Sequence, residues 1–163
     1  MIARTEQAMQ LTEFGTLERE IRIDASPEVV FDVISSPEHI REWWSDDASL
    51  ESDARPGAMG ELIWADRDQP VPFVVVQSDP PRTFSFRWTS PDGEMPAEDN
   101  SLLVTIDLQS SPPGTVLRLT ETGFREKGWE AAVLEEAFHD HERGWDFFLP
   151  RLREHAVKVA GSR

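Results

Sequence analysis

"REIRIDASPEVVFDVISSPEHIREWW", residues 19–44, places a strand, two helix starts and a tryptophan pair in one uninterrupted run. With the two residues before it, the run begins LEREIRIDA. Leu17, Arg19, Ile21 and Ile23 share one face there, and Glu18, Glu20, Arg22 and Asp24 share the other. A period of two predicts a strand with one buried face, Arg19 being its exception. Ser26-Pro27-Glu28 and Ser36-Pro37-Glu38 then repeat a helix start ten residues apart. In each, serine is placed to cap free backbone N–H groups, and proline takes the first helical position, where its missing N–H costs nothing. The glutamate faces the positive end of the helix dipole. Two short helices are expected, about 27–35 and 37–44. The first is lined by Val30, Phe31, Val33 and Ile34, and the second by Ile40, Trp43 and Trp44.

Beyond residue 44 the period stays close to two as far as residue 122. Strands are predicted at 47–53, 59–66, 71–78, 82–89, 101–109 and 114–122, separated by proline-, glycine- and aspartate-rich turns. TFSFRWT is the clearest, with Phe84, Phe86 and Trp88 on one face. Short, evenly punctuated strands imply antiparallel pairing. From Trp129 to about Val157 the apolar spacing changes to steps of three and four. That predicts a helix of roughly 40 Å, long enough to cross a whole sheet. Pro150 lies within it, removes the hydrogen bond to the Asp146 carbonyl, and is expected to bend it there. The fold class expected is α+β: a curved antiparallel sheet of seven strands, two short helices after the first, and a long C-terminal helix on its concave side. Residues 1–16 read as a loosely held lead-in, and 17–160 as one domain.

Composition narrows the function classes. The 163 residues include 31 acidic and 16 basic side chains, a formal net charge of −15. Such a body repels nucleic-acid phosphates and anionic membranes, so neither is an expected partner. No stretch approaches the roughly 20 apolar residues of a membrane span. The absence of cysteine removes thiolate catalysis, thiolate metal sites and disulfides. With an N-terminus that lacks a signal-peptide pattern, it suits a cytoplasmic location. Nine phenylalanines and six tryptophans stand against no tyrosine, so indole N–H groups are the only polar handles on the large rings.

Four stretches together resemble the START-like (helix-grip) superfamily, and within it the branch grouped with the activator of Hsp90 ATPase. They are REIRIDASPEVVFDVISSPEHIREWW (19–44), RPGAMGEL (55–62), TVLRLTETGF (115–124) and GWDFFLPRL (144–152). The resemblance implies a seven-stranded antiparallel sheet wrapped round the C-terminal helix with a hydrophobic cavity between them. It does not imply one activity, because members include lipid and hormone carriers, aromatic-polyketide cyclases and co-chaperone domains. Where the branch has a glycine pair before the third strand, this chain has Gly57-Ala58-Met59-Gly60.

Trp64, Phe73, Val75, Phe84, Phe86, Trp88, Leu117, Leu119, Trp145 and Phe148 are expected on the inner wall, as core or as the lining of an apolar pocket. Trp43 and Trp44 are about 100° apart on a helix, so one ring is expected inside and one at the rim. The pair serves packing, a cavity mouth or a partner-binding patch. Glu121 continues the inward face of Leu117 and Leu119 and needs a partner such as an arginine, or a retained proton. It reads as a structural ion pair or as a polar anchor for ligand; Glu61 is a weaker candidate of the same kind. His139 and His141, in HDHE, lie about 200° apart on a helix and cannot grip one ion. His141 falls on the apolar stripe, as a core histidine or a ligand contact. His39 reads as a surface helix cap and His155 as solvent-facing. The acidic segment 90–101 is a solvated spacer or a lid.

No catalytic, cofactor or metal signature stands out. The leading expectation is non-catalytic binding of a small hydrophobic or aromatic molecule between sheet and helix, by a monomer or homodimer. The alternatives are a protein-interaction domain docking through an exposed tryptophan, or a cyclase or hydrolase using Glu121 or His141 as general base.

Overall fold

The computed structural model describes residues 15–51, 53–89 and 94–163, so the expected lead-in falls, at residues 1–14, outside the described residues. The first alternating run forms β1 (Thr16–Ile23). Two helices follow, α1 (Pro27–Ser35) and α2 (Pro37–Trp43), each with proline in its first turn. Next come β2 (Asp47–Leu50), β3 (Met59–Ile63), β4 (Val71–Asp79), β5 (Thr83–Trp88), β6 (Leu102–Ser111) and β7 (Gly114–Thr122). After a 3-10 turn at Arg125–Lys127, which the sequence reading missed, α3 runs from Ala131 to Gly161 and continues through Pro150.

The seven strands form one curved antiparallel sheet in the order β1-β7-β6-β5-β4-β3-β2. Strands β1 and β2 are its two edges, so α1 and α2 carry the chain from one edge to the other. The long helix buries Leu134, Phe138, Trp145, Leu149, Leu152 and Ala156, a stripe stepping by three, four and seven. Arg19, the exception on β1, explains itself here. It reaches up to α3, where its Nε donates to Asp146 at 2.7 Å and a terminal nitrogen donates to Glu142 at 2.9 Å. These two acids, one turn apart, pin the helix to the sheet edge and raise the guanidinium pKa further.

Several local expectations are corrected. Ser26 caps α1 through the Val29 N–H, but Ser36 turns its hydroxyl to Asp32 at 2.8 Å instead of capping α2. Helix α2 ends at Trp43, and Trp44 caps it at φ −115° and ψ −59° with its N–H bonded to the Ile40 carbonyl. The expectation of one ring inside and one at the rim is not met: both indoles are buried, 1% and 7% exposed, and stack at 5.4 Å with planes 8° apart. The Trp43 indole donates to the Val33 carbonyl at 3.0 Å, tying α2 to α1. Glu61 faces outward between the inward Gly60 and Leu62. Gly60 lies opposite Phe73, and a Cβ there would meet that ring at 2.4 Å, so the phenyl needs the bare backbone. His39 and His155 are not solvent-facing: they are half-buried against each other, ring nitrogens 3.0 Å apart, joining α2 to the end of α3.

Candidate functional site

Strand β7 turns Leu117, Leu119 and Glu121 to the interior, and Glu121 is completely buried. Its Oε1 accepts from the Trp145 indole and from His141 Nδ1, each at 2.9 Å, and its Oε2 accepts from the Trp88 indole at 2.7 Å. Trp88 ends β5, and His141 and Trp145 sit one turn apart on α3. In a chain without tyrosine, two indole N–H groups and an imidazole do what an arginine was expected to do. Because the indoles donate only, the carboxyl is held as an acceptor and His141 donates from Nδ1. Its Nε2 is left as the ring's second polar edge. Burial pulls the His141 pKa down, but the charge and hydrogen bond of Glu121, helped by Asp140, more than offset this and hold it above the ordinary value.

Above this pair lies a cavity of about 170 Å³, bordered by Trp44, Trp64, Trp88, Trp145 and Phe148, with His141, Asp66, Arg67 and Asp140 as its polar margin. Trp44 is the hub, with ring centres 5.2 Å from Trp88, 5.3 Å from Trp145 and 5.9 Å from Trp64. Trp64 donates from its indole to the Trp44 carbonyl at 2.9 Å and carries the Arg67 guanidinium over its other side, 5.0 Å from the ring centre. Gly144, between His141 and Trp145 on α3, also borders the space and supplies no side chain to fill it.

Of the residues expected at a binding site, six border this cavity: Trp44, Trp64, Trp88, His141, Trp145 and Phe148. Trp43, Phe73, Phe84, Phe86, Leu117 and Leu119 do not; they are buried in the apolar core around it. Glu121 does not border the cavity either; it is completely buried and bonded to His141, which does. Neither ring of the Trp43–Trp44 pair is an exposed docking patch. His139 points elsewhere and bonds Glu142 at 2.8 Å. Among the described residues of the acidic segment, 94–101, none borders the cavity, and 90–93 lie outside the described residues. Sequence reasoning missed Asp66, Arg67, Asp140 and Gly144. The first two follow β3 in what reads as an ordinary polar turn, and nothing local shows that this turn borders the same cavity as Trp64. Among the described residues no group of three or more acids and histidines is placed to hold a metal. No helix among them is long and apolar enough to cross a membrane.

Comparison with known proteins agrees with this architecture. A family profile described as activator of Hsp90 ATPase homolog 1-like protein matches residues 24–156. A search of curated proteins returns no match. Among solved structures, protein MLL2253 from Mesorhizobium loti is 23% identical, with a TM-score of 0.70 over 88% of this chain and 97% of that one. The Aha1 dimer from Colwellia psychrerythraea is 19% identical, with a TM-score of 0.65 over 85% of this chain and 93% of that one. DynU16, from the dynemicin biosynthetic locus, is 19% identical with a TM-score of 0.68, over 91% of this chain and 49% of that one. At these identities the likeness is one of fold.

Proposed function

The chain belongs to the activator of Hsp90 ATPase homolog 1-like family, and from that premise we propose that it binds a small apolar or aromatic molecule in the tryptophan cavity, without catalysis. The observation that carries the reading is the convergence of four indoles and one phenyl on a space they do not fill. A well-packed core closes such a gap, because an unfilled wall forfeits its contacts. A cavity near 170 Å³ suits one substituted ring, since about 150 Å³ is enough to hold benzene. Burying roughly 150 Å² of apolar ligand surface at about 25 cal/mol per Å² contributes about 4 kcal/mol. Each well-placed ring contact adds about 0.5–1.5 kcal/mol. A dissociation constant on the order of micromolar to millimolar follows.

Titration of a panel of one-ring hydrophobic compounds, followed by tryptophan fluorescence and thermal shift, tests this directly. Quenching and stabilisation by single-ring members is expected, with no response to four-ring compounds. Silence across the whole panel overturns the reading. A second reading, proton transfer by His141, is favoured by one observation: the histidine borders the cavity while its Nδ1 is held by a buried carboxyl. Turnover that disappears in His141→Gln while ligand quenching persists would select it.

A further inference from the structure

Resting on the cavity reading above, the geometry points to a ligand class: a single aromatic ring bearing a neutral acceptor oxygen, such as an aryl ketone or aldehyde, hydrogen-bonded by His141 Nε2–H. Five rings supply shape and apolar contact, and the oxygen preference comes from the one polar edge that is rigidly aimed. Glu121 is fixed by the Trp88 and Trp145 indoles, so it cannot swing, and it fixes the imidazole in turn. Trp88 and Phe124 also press on that imidazole at near-perpendicular angles of 75° and 89°. Such a ring costs little further ordering when a ligand arrives.

The charges around His141 decide donor against acceptor and neutral against ionic. Glu121 faces it from β7, Asp140 adjoins it on α3, and Asp66 and Arg67 face it from the β3–β4 connection. Burial and Arg67 oppose the doubly protonated ring, but Glu121 and Asp140 outweigh them, and that ring offers a donor and no lone pair. A ligand carboxylate would meet Arg67 and the imidazolium but also Asp66 and Asp140, and a ligand ammonium the reverse, so the mixed margin gives neither ion a net partner to repay its desolvation. A neutral carbonyl oxygen has little desolvation to repay and takes a charge-assisted hydrogen bond.

The decisive experiment uses the full chain and a shape-matched pair, acetophenone and α-methylstyrene, which differ in oxygen against methylene. Calorimetric titration near pH 6 is expected to favour acetophenone by about tenfold or more. Benzoate and benzylamine are expected to bind more weakly than acetophenone. The preference should shrink as pH rises through the raised His141 pKa, and should fall to near unity in His141→Leu. Histidine ¹⁵N NMR of the unmodified chain supplies the same test without a variant, through an acetophenone-specific shift at Nε2. Equal binding of the matched pair, or tightest binding of benzoate, overturns this assignment and leaves the cavity reading standing. Binding of neither partner overturns the cavity reading itself.

Discussion

Strands β5 and β7 and helix α3 each pass through two different interiors. At one end β5 contributes Phe84, β7 contributes Leu117 and α3 contributes Leu152 and Ala156, all buried beneath α1, whose Phe31 meets Phe84 edge-on at 6.0 Å. Toward the other end the same elements contribute Trp88, Glu121, His141 and Trp145. The first end is held mainly by apolar contact, its buried hydrogen bonds being side chain to backbone, as from Thr115 to the Ala25 carbonyl. The second is held by hydrogen bonds converging on one carboxyl, and no buried side-chain nitrogen or oxygen among the described residues lacks a partner. Apolar packing closes gaps by small adjustments. A bonded cluster holds its rings at set distances, and the space over them stays open.

The largest test of that contrast sets Glu121→Leu against Leu119→Ala. Glu121→Leu removes the acceptor of three buried donors and is expected to cost about 3–5 kcal/mol in urea unfolding. Leu119→Ala opens a cavity in the apolar end at about 2–5 kcal/mol. The contrast lies in coupling. Adding His141→Leu to Glu121→Leu should cost much less than the two single changes summed, whereas His141→Leu and Leu119→Ala should be additive. Additivity in both cycles would erase the distinction between the two ends. Gly60→Ala comes next, at about 1–3 kcal/mol, because the new methyl meets both the Phe73 ring and the Ser49 carbonyl oxygen at 2.4 Å.

Smaller, and of opposite sign at the two ends, is the response to pH. Folding raises the His141 pKa, so its contribution is fully present below the unfolded value of about 6.5 and is lost as pH rises through the folded one. His155, beside His39 at the far end of α3, is lowered by burial first and then by the neighbouring imidazole. The unfolded chain therefore takes that proton more readily, and stability falls as pH drops below about 6.5. Stability curves for His141→Leu and His155→Leu between pH 5 and 8 should lose opposite slopes. A shared slope would mean that the two histidines sit in equivalent surroundings. The smallest effect is expected from Arg19→Met. It breaks a pair of half-exposed bridges to α3 and should cost about 0.5–1 kcal/mol, read as a shift in the urea midpoint.

How far the sequence reached follows from the range of its signals. Alternation, proline at helix starts and the three-four stripe are local, so every strand and helix among the described residues is legible in them apart from the 3-10 turn at Arg125–Lys127. Ends moved where side chains outranked propensity. The strand expected over 59–66 stops at Ile63, and Trp64 turns the corner with its indole held by the Trp44 carbonyl. That Glu121 and His141 face inward was readable from period two and period 3.6 on their own elements. That they face each other was not.

By itself, then, the sequence determined the order of elements, the buried face of the clearest of them, the exclusion of thiol chemistry and the want of any polar handle on the large rings beyond indole N–H. Only the tertiary structure decided that two of those indoles and one imidazole converge on Glu121, that Trp43 stacks flat on Trp44, and that a space of about 170 Å³ survives above them. Periodicity states which way a side chain points. What stands opposite is set by the curvature of the sheet and the seating of α3, which bring together residues far apart in the chain.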